Sequence, residues 1–337
     1  MKLIKPWAPK DTIAVIGSGS WATALVKIFT DSKLLVHWYV HREEDALFIK
    51  KHQKNPKYLT GVKFKRNRIR VSHNVNATLE ACSWIVFAVP SAFIESILKT
   101  IEIDLSQKII VSGVKGILPQ SNRHLGDFLL HQFKVPLSQF ILIAGPTHAE
   151  EIALERLSYL TLVSENESIA AQLQSKLNVP YLQCHYSGDL LGIEYASILK
   201  NIYAIASGIA FGLGYGDNFQ SVLISNSMGE MERFLHAIHP TERNLTKSAY
   251  LGDLLVTAYS AFSRNRRFGT LLGRGYTVKG IQSEMQMISE GYFALKPLHA
   301  LTQNKQLSLP IFSTVYEIVH ESLPAKKGFK RLTKKLV

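Results

Sequence analysis

The sequence has few cysteines and no long apolar run. Its two cysteines, Cys82 and Cys184, are too few for a disulfide framework or, by themselves, for a zinc site. No stretch approaches the roughly 20 consecutive apolar residues that a membrane-spanning helix needs. The apolar stretch after the first lysines is too short for a signal peptide. We therefore expect a cytoplasmic protein that has no transmembrane segment and binds no metal.

Acidic residues are missing from two segments that carry the excess positive charge. Residues 50–70 contain nine lysines and arginines, residues 326–337 contain six, and neither segment has an aspartate or glutamate. The other 24 lysines and arginines nearly balance the 26 acidic residues, so the net charge of +13 is local. Such segments either form solvated surface or attract anionic substrates, membranes or RNA. Because neither is interleaved with the aromatic residues of a nucleic-acid platform, we expect no nucleic-acid partner.

The chain is long for a single core, and its pattern changes near residue 188. Before that point, short and nearly continuous apolar runs predict strands at 12–17, 34–40, 84–90, 108–113 and 140–145, with helices at 21–31, 91–100 and 121–132. Residues 181–186 are predicted as the last strand before the change. After it, helical patterns cover 190–211, 217–239, 250–260, 291–304 and 310–321. We therefore predict an α/β Rossmann-like doubly wound sheet at 1–188 and an all-α domain at 189–337.

The first predicted strand runs into the sequence GSGSWA and then into a helix. Gly17 permits the tight turn, and Gly19 lets the backbone approach a pyrophosphate at the helix N-terminus. Ala22 occupies the third position, where a small residue allows close packing of helix on strand. His41 and Arg42 stand where an NAD-binding fold usually has an acidic residue, so they either accept the 2′-phosphate of NADP or belong to an exposed loop. We predict NAD or NADP binding and leave the preference open.

Three further strand ends carry rigid or polar residues. Pro90 closes the third of these strands, Lys115 follows the fourth, and the sequence GPTHAEE follows the fifth. Lys115 either faces solvent or contacts a ligand at this edge of the sheet. Gly145 and Pro146 break the fifth strand, and Thr147 either caps a following helix or leaves free N–H groups that can hold an anion.

The predicted helix 190–211 is mostly apolar, yet Lys200 and Asn201 lie in its middle. Because burying an unpaired ammonium is costly, Lys200 either reaches water or meets a partner. Asp253 can supply the opposite charge, although after Gly252 it is most simply a helix N-cap. Small residues on the lysine face either let another helix pack closely or leave room for a ligand. The segment Ser263–Arg267 concentrates guanidinium and amide donors, which suit a phosphate.

Six sequences occur in one order along nearly the whole chain: GSGSWATAL, VSGVKGI, AGPTHAEEIA, LKNIYAIASGIAFGLGYGDN, GDLLVTAYSAFSRNRRFG and ISEGY. Together they resemble the NAD(P)-dependent glycerol-3-phosphate dehydrogenases of the bacterial type. The Lys-Asn pair with the later Gly-Asp and SRNRRFG sequences is the most family-specific part. The resemblance implies NAD(P)H-dependent, reversible reduction of dihydroxyacetone phosphate to sn-glycerol 3-phosphate, which feeds glycerophospholipid synthesis. It also implies a Rossmann domain, a helical domain and a homodimer.

The strand ends and the resemblance together assign roles to particular residues. The catalytic set has Lys200 as the proton-transfer group, with Asn201, Asp253 and Lys115. The predicted cofactor contacts are Gly17, Gly19, Ser20, Trp21, His41, Arg42, Pro90, Lys115, Ala149, Arg264, Ile288 and Glu290. The predicted substrate contacts are Lys115, Gly145, Thr147, Lys200, Asp253, Ser263, Arg264 and Asn265.

Other functions stay open at this point. A related two-domain hydroxyacid or ketopantoate reductase also joins a Rossmann half to a helical half with a lysine, but the segment Ser263–Arg267 favours a phosphorylated substrate. A nucleotide-binding sensor without turnover is a second alternative, and the presence of Lys200, Asn201 and Asp253 argues against it. Binding of RNA or a membrane surface by the basic segments is compatible with an enzyme.

Overall fold

The structure, a computed structural model, describes residues 12–285 and 289–337. By its internal contacts the chain forms two compact units. The first, here called the sheet unit, comprises Met1–Val114 and Arg123–Leu190, and the second, the helical unit, comprises Lys115–Asn122 and Leu191–Val337. The predicted division after residue 188 stays a prediction. The short segment Lys115–Asn122 belongs to the helical unit although it follows a strand of the sheet.

The sheet unit is built on one eight-stranded sheet of order β3-β2-β1-β4-β5-β6-β7-β8. Its strands are β1 Thr12–Ile16, β2 Leu35–Tyr39, β3 Ile69–Ser72, β4 Trp84–Phe87, β5 Ile109–Ser112, β6 Phe140–Ala144, β7 Ser158–Val163 and β8 Leu182–Ser187. All neighbouring pairs are parallel except β6 and β7, which are antiparallel. Strands β4, β5 and β6 are buried along their whole length, as continuous apolar runs predict. The predicted fold class is therefore confirmed, while β3 and β7 were not predicted.

Within the described residues of the sheet unit, seven α-helices connect these strands or follow them. They are α1 Ser20–Asp31, α2 Glu43–His52, α3 Val75–Glu80, α4 Ser91–Leu98, α5 Leu125–Phe133, α6 Ala149–Ala153 and α7 Glu167–Lys176. The helix predicted at 121–132 begins later, at Leu125. Helix α1 begins directly after the glycine turn, with Gly19 at its N-cap position, so the turn lies at a helix N-terminus as expected.

The helical unit has eight helices within the described residues. They are α8 Leu190–Gly212, α9 Asp217–Ile238, α10 Asp253–Tyr259, α11 Arg264–Gly273, α12 Val278–Glu284, α13 Glu290–Asn304, α14 Pro310–His320 and α15 Ala325–Leu332. The helix predicted at 250–260 is split, because a π-helical turn over Ser248–Gly252 precedes α10. Helices α11, α12 and α15 were not predicted.

Glycines bring α8 and α11 unusually close together. A Cβ added at Gly208 of α8 would lie 2.0 Å from the carbonyl oxygen of Arg266, and one at Gly269 of α11 would lie 2.1 Å from that of Ile205. No real Cβ approaches a backbone atom so closely, so these positions require glycine. Of the two explanations open for the small residues on the lysine face, the structure supports close helix packing at Gly208.

The two basic segments pack on the rest of the chain through apolar side chains. Val62 and Phe64 are buried in residues 50–70, and Phe329 and Leu332 are buried in the last segment. Most of the lysines and arginines of both segments are exposed. Across residues 12–285 and 289–337, no helix combines the length and apolar character needed to cross a membrane.

Candidate active site

The glycine turn after β1 has one packed position and one open position. Gly17 has a φ of +130°, and a Cβ there would lie 2.3 Å from the carbonyl oxygen of Ala88, which follows β4. Glycine is therefore required both by the backbone conformation and by the space. A Cβ at Gly19 would meet no heavy atom within 4 Å, so open space lies beside the N-terminus of α1. A pyrophosphate fits this arrangement, since backbone can approach it at Gly19 and α1 presents its first N–H groups there.

Other predicted cofactor residues lie at the same edge of the sheet, because the carboxyl ends of parallel strands meet there. Ser20 and Trp21 open α1, and the Trp21 ring covers Gly113, where a Cβ would lie 2.6 Å from the indole nitrogen. Pro90 is exposed and directly precedes α4, and Ala149 is buried as the first residue of α6.

His41 and Arg42 follow β2 and are both exposed. The His41 ring lies 3.5 Å from the Tyr39 hydroxyl, and the Arg42 guanidinium lies 3.4 Å from the carboxylate of Glu44. An ion pair between two solvent-exposed side chains contributes little to stability. Arg42 can therefore exchange Glu44 for another anion at low cost.

Gly145 and Thr147 follow β6 at the same edge. Gly145 has a φ of +106°, and a Cβ there would lie 2.9 Å from the carbonyl oxygen of Tyr159, so glycine is required. The Thr147 hydroxyl donates to that same oxygen at 3.2 Å. Of the two roles left open for Thr147, that of a helix cap is wrong, because His148 occupies the N-cap position of α6 and makes no side-chain cap bond.

Lys200 and Lys115 lie on the same carboxylate, that of Asp253, inside the helical unit. The Lys200 ammonium donates to Oδ1 of Asp253, and the Lys115 ammonium lies 3.7 Å from Oδ2 of the same carboxylate. Lys200 is 5% exposed and Asp253 is 1% exposed. Asp253 is not the N-cap that its position after Gly252 suggested. Gly252 holds the cap position of α10, and the Asp253 carboxylate contacts the two lysines instead.

The pKa of Lys200 is lowered to about 7. Burial is the main cause, because it disfavours the charged form, and the positive charge of Lys115 lowers the pKa further. Asp253 acts in the opposite direction through its charge and its hydrogen bond. The pair therefore holds the amine in place while burial brings its proton exchange near neutral pH, where a general acid–base group is most effective.

Two asparagines extend this site from α8 to α11. The Asn265 amide donates to Oδ1 of Asn201 at 2.9 Å, and Asn201 donates to the carbonyl oxygen of Ser197 at 3.2 Å. Oδ1 of Asn265 accepts from the Ser289 hydroxyl and from the N–H of Gly291. These bonds fix which end of each amide faces which partner. Ser289 is a buried part of this network that the sequence did not indicate, because nothing but its place before Glu290 distinguished it.

The start of α11 presents the donors proposed for a phosphate. The Ser263 hydroxyl caps the helix by accepting from the N–H of Arg266 at 3.2 Å, and Asn265 is buried. Arg264 is partly exposed and forms no ion pair with a carboxylate in the described part of the chain. A helix N-terminus beside a guanidinium that forms no such ion pair favours the binding of an anion.

The predicted site residues thus fall into two groups. The glycine turn, Trp21, His41, Arg42, Pro90, Gly145, Thr147 and Ala149 lie in the sheet unit, whereas Lys115, Lys200, Asn201, Asp253, Ser263, Arg264, Asn265 and Glu290 lie in the helical unit. Glu290 is the first residue of α13. Ile288 lies outside the described residues. Within the residues that are described, no three His, Cys, Asp or Glu side chains are placed to hold a metal ion.

A mostly parallel sheet with a glycine turn, and a helical unit with a buried lysine that exchanges protons near neutral pH, are features of a nicotinamide-dependent oxidoreductase. Residues 12–170 match the family model described as NAD-dependent glycerol-3-phosphate dehydrogenase N-terminus, and residues 189–330 match the model for its C-terminus. The chain belongs to the NAD-dependent glycerol-3-phosphate dehydrogenase family. The resemblance drawn from the sequence is therefore confirmed.

Individual relatives match over nearly their whole length. Glycerol-3-phosphate dehydrogenase [NAD(P)+] of Chlorobium chlorochromatii (strain CaD3) is 34% identical over 94% of this chain and 96% of its own. The protein of that name from Geobacillus thermodenitrificans (strain NG80-2) is 32% identical, with 96% and 94% covered. A crystal structure of glycerol-3-phosphate dehydrogenase from Coxiella burnetii is 29% identical with a TM-score of 0.88, and the match covers 96% of this chain and 99% of that one.

Proposed function

We propose that the protein catalyses the reversible, NAD(P)H-dependent reduction of dihydroxyacetone phosphate to sn-glycerol 3-phosphate. The observation that carries this proposal is the buried Lys200–Asp253 pair, in which the lysine has a pKa of about 7. Its neighbour Asn201 is hydrogen-bonded to Asn265 at the N-terminus of α11, where donors for a phosphate collect. The proton-transfer group on α8 is therefore adjacent in sequence to an asparagine that is hydrogen-bonded to the proposed anion site.

The cofactor would be held by the edge of the sheet. The turn at Gly17 and Gly19 and the first turn of α1 would take the pyrophosphate, and His41 and Arg42 would face the ribose end. Pro90, Ala149, Glu290 and Ile288 complete the proposed contacts, with Lys115 and Arg264. When bound, the reduced nicotinamide supplies a hydride to the carbonyl carbon of the substrate.

Lys200 would supply the proton that balances this reduction. As an ammonium it donates a proton to the oxygen on C2 of the substrate, and as an amine it accepts that proton in the oxidation direction. Asp253 holds the amine in place, and Lys115 supplies a second positive charge next to the same carboxylate. Asn201 would orient the oxygen that receives the proton.

The phosphate of the substrate would be bound at the N-terminus of α11. Arg264 provides a guanidinium that carries no ion pair within the described residues, and Ser263 and Asn265 add short polar side chains. Gly145 and Thr147 are further proposed substrate contacts. Binding energy from this non-reacting group can be used to align the carbon that reacts.

The test is the oxidation of NADH and of NADPH in parallel, each with dihydroxyacetone phosphate and with dihydroxyacetone. We expect turnover with the phosphate ester and a much lower kcat/KM without the phosphate. Equal rates with both substrates would contradict the role of Arg264 and Asn265. No turnover with either cofactor would contradict the function and favour a nucleotide-binding sensor.

The homodimer and the supply of glycerol 3-phosphate to phospholipid synthesis remain our proposals on the ground of the family resemblance. The cytoplasmic location and the absence of a metal cofactor remain proposals that rest on the sequence, which has few cysteines and no long apolar run. Light scattering on the purified protein tests the dimer, and metal analysis after dialysis against a chelator tests the last. Retention of full activity with no bound metal is the result we expect.

A further inference from the structure

Three consecutive carbonyl groups of the glycine turn each accept a hydrogen bond from a side chain. The indole N–H of Trp38 donates to the carbonyl oxygen of Gly17 at 2.7 Å. The Asn55 amide donates to that of Ser18 at 3.0 Å, and the Thr23 hydroxyl donates to that of Gly19 at 2.9 Å. The donors come from β2, from the basic segment 50–70 and from α1.

These bonds set the direction of the N–H groups that a pyrophosphate would meet. In a planar trans peptide the carbonyl of one residue and the N–H of the next point in opposite directions. Holding the carbonyls of Gly17, Ser18 and Gly19 therefore directs the N–H groups of Ser18, Gly19 and Ser20 away from the three side chains. Among the described residues, the N–H groups of Ser18 and Gly19 have no hydrogen-bond acceptor, so they are available to an anion.

Asn55 lies outside the continuous β1–α1–β2 segment that supplies Trp38 and Thr23. It is 3% exposed, and its amide nitrogen donates a second bond to the Thr23 hydroxyl at 2.8 Å. Its Oδ1 accepts from the N–H groups of Lys57 at 2.9 Å and Tyr58 at 3.0 Å. All four hydrogen-bonding positions of the side chain are thus used, and the two backbone donors fix the amide so that its NH₂ faces the turn.

We propose that Asn55 is a positioning residue for the cofactor pyrophosphate and joins the basic segment to the glycine turn. Without its amide, the peptide between Ser18 and Gly19 can rotate, and an alternative orientation places a carbonyl oxygen where the anion binds. The basic segment then has a function besides its charge, because its Asn55 side chain holds the backbone of the glycine turn. This inference rests on the proposed function, since it presumes that a dinucleotide binds at this turn.

The test compares Asn55→Ala and Asn55→Asp with the native protein. Asn55→Asp has nearly the same shape and keeps an acceptor for Lys57 and Tyr58, but it loses the donor to Ser18 and adds negative charge beside the anion. We expect the Kd for NADH and for ADP-ribose to rise about tenfold in Asn55→Ala, and further in Asn55→Asp. The kcat at saturating cofactor should stay near the native value, because no group that reacts is changed.

Asn76→Ala is the matched control. Asn76 also links two backbone segments of the sheet unit, donating to the carbonyl oxygen of Thr100 at 3.0 Å and accepting from the N–H of Glu102 at 2.9 Å. We expect it to lower the melting temperature without changing the Kd for NADH. If affinity falls in step with melting temperature in both the Asn55 and Asn76 variants, the effect is a general loss of stability and the positioning role is overturned.

The outcomes separate this inference from the function on which it rests. If the native protein binds neither NADH nor ADP-ribose, the proposed function fails. If the native protein binds both and the folded Asn55 variants bind them equally well, only the role of Asn55 is overturned. Isothermal titration measures the affinities, and circular dichroism shows whether each variant is folded.

Discussion

Lys200→Met deletes the proposed proton donor while keeping a side chain of similar length and apolar character. At pH 7 a lysine with a pKa of 10.5 is a neutral amine in about one molecule in 3,000, whereas a pKa of about 7 makes the two forms about equally abundant. The native site therefore offers an acid for reduction and a base for oxidation at the same pH. Losing one general acid–base group typically costs about 10²–10⁴ in rate. We expect kcat of Lys200→Met to fall by about that factor in both directions.

The pH dependence of the native protein should have opposite signs in the two directions. Reduction needs the ammonium, so its kcat falls as the pH rises through about 7. Oxidation needs the amine, so its kcat rises over the same range. Both rates are measured from the absorbance of the reduced nicotinamide. Neither dependence should remain in Lys200→Met, because no titrating group is left at that position.

The free energy of unfolding, measured as a function of pH, is the control for the kinetic experiment on Lys200→Met. The pKa of Lys200 in the folded chain lies below its unfolded value, so the unfolded chain binds more protons between pH 7 and about 10. The free energy of unfolding of the native protein therefore rises with pH across this window, by at most about 1.4 kcal/mol per pH unit. Lys200→Met lacks that rise. Because Lys115 stays 3.7 Å from the Asp253 carboxylate, the buried charge keeps one partner, and we expect the variant to fold and to bind NADH.

Near-native kcat in a folded Lys200→Met protein would refute the proton-transfer role. A lysine with a purely structural role predicts the reverse pattern, with normal turnover and a lower free energy of unfolding. Urea denaturation and steady-state kinetics on the same preparation distinguish the two patterns, since each predicts a change in a different quantity.

Three further predictions concern the neighbours of this lysine and the two anion sites. Asp253→Asn removes the main influence that raises the pKa of Lys200. The midpoint of both pH profiles should therefore move to lower pH, by about one to three units. An unchanged midpoint would contradict the effect of Asp253 on the Lys200 pKa. Arg264→Ala should lower kcat/KM for dihydroxyacetone phosphate by about tenfold to a hundredfold, as expected for a lost hydrogen bond to a charged group. At saturating cofactor it should lower the rate with unphosphorylated dihydroxyacetone much less. Arg42→Ala should raise the Kd for NADPH more than that for NADH; equal effects would show that this exposed side chain does not contact the 2′-phosphate.

The fold was predictable wherever burial on both faces produces continuous apolar runs. Strands β1, β2, β4, β5 and β6 were found in this way, together with the glycine turn between β1 and α1. Strand β8 is largely exposed and was predicted only as the last strand before the helical patterns begin. Strand β3 was missed because it begins at the end of the basic segment and alternates buried residues with more exposed ones. Strand β7 was missed although most of it is buried, and its antiparallel pairing with β6 departs from a uniformly parallel sheet. Pairing direction depends on how the chain returns to the sheet, which apolar content does not encode.

The candidate site was predictable in its residue types but less so in its contacts. Lys200 drew attention because a charge in the middle of an apolar helix needs a partner, and Asp253 was one candidate. The second lysine could not be placed beside that carboxylate from the sequence. Lys115 follows a strand of the sheet, yet its segment belongs to the helical unit. Its effect on the pKa of Lys200 arises only from this arrangement.

Helix α11 shows why packing has to be known before the chemistry can be explained. Its sequence RNRRFGTLLG is polar and contains two glycines, so no apolar periodicity marked it as a helix. The same glycines let α11 approach α8 so closely that Gly269 has no room for a Cβ beside Ile205. An asparagine side chain is short, and Asn265 can reach Asn201 only because the two backbones are this close. The residues that weaken the sequence signal for the helix are therefore the ones that connect the proposed phosphate site to the lysine helix.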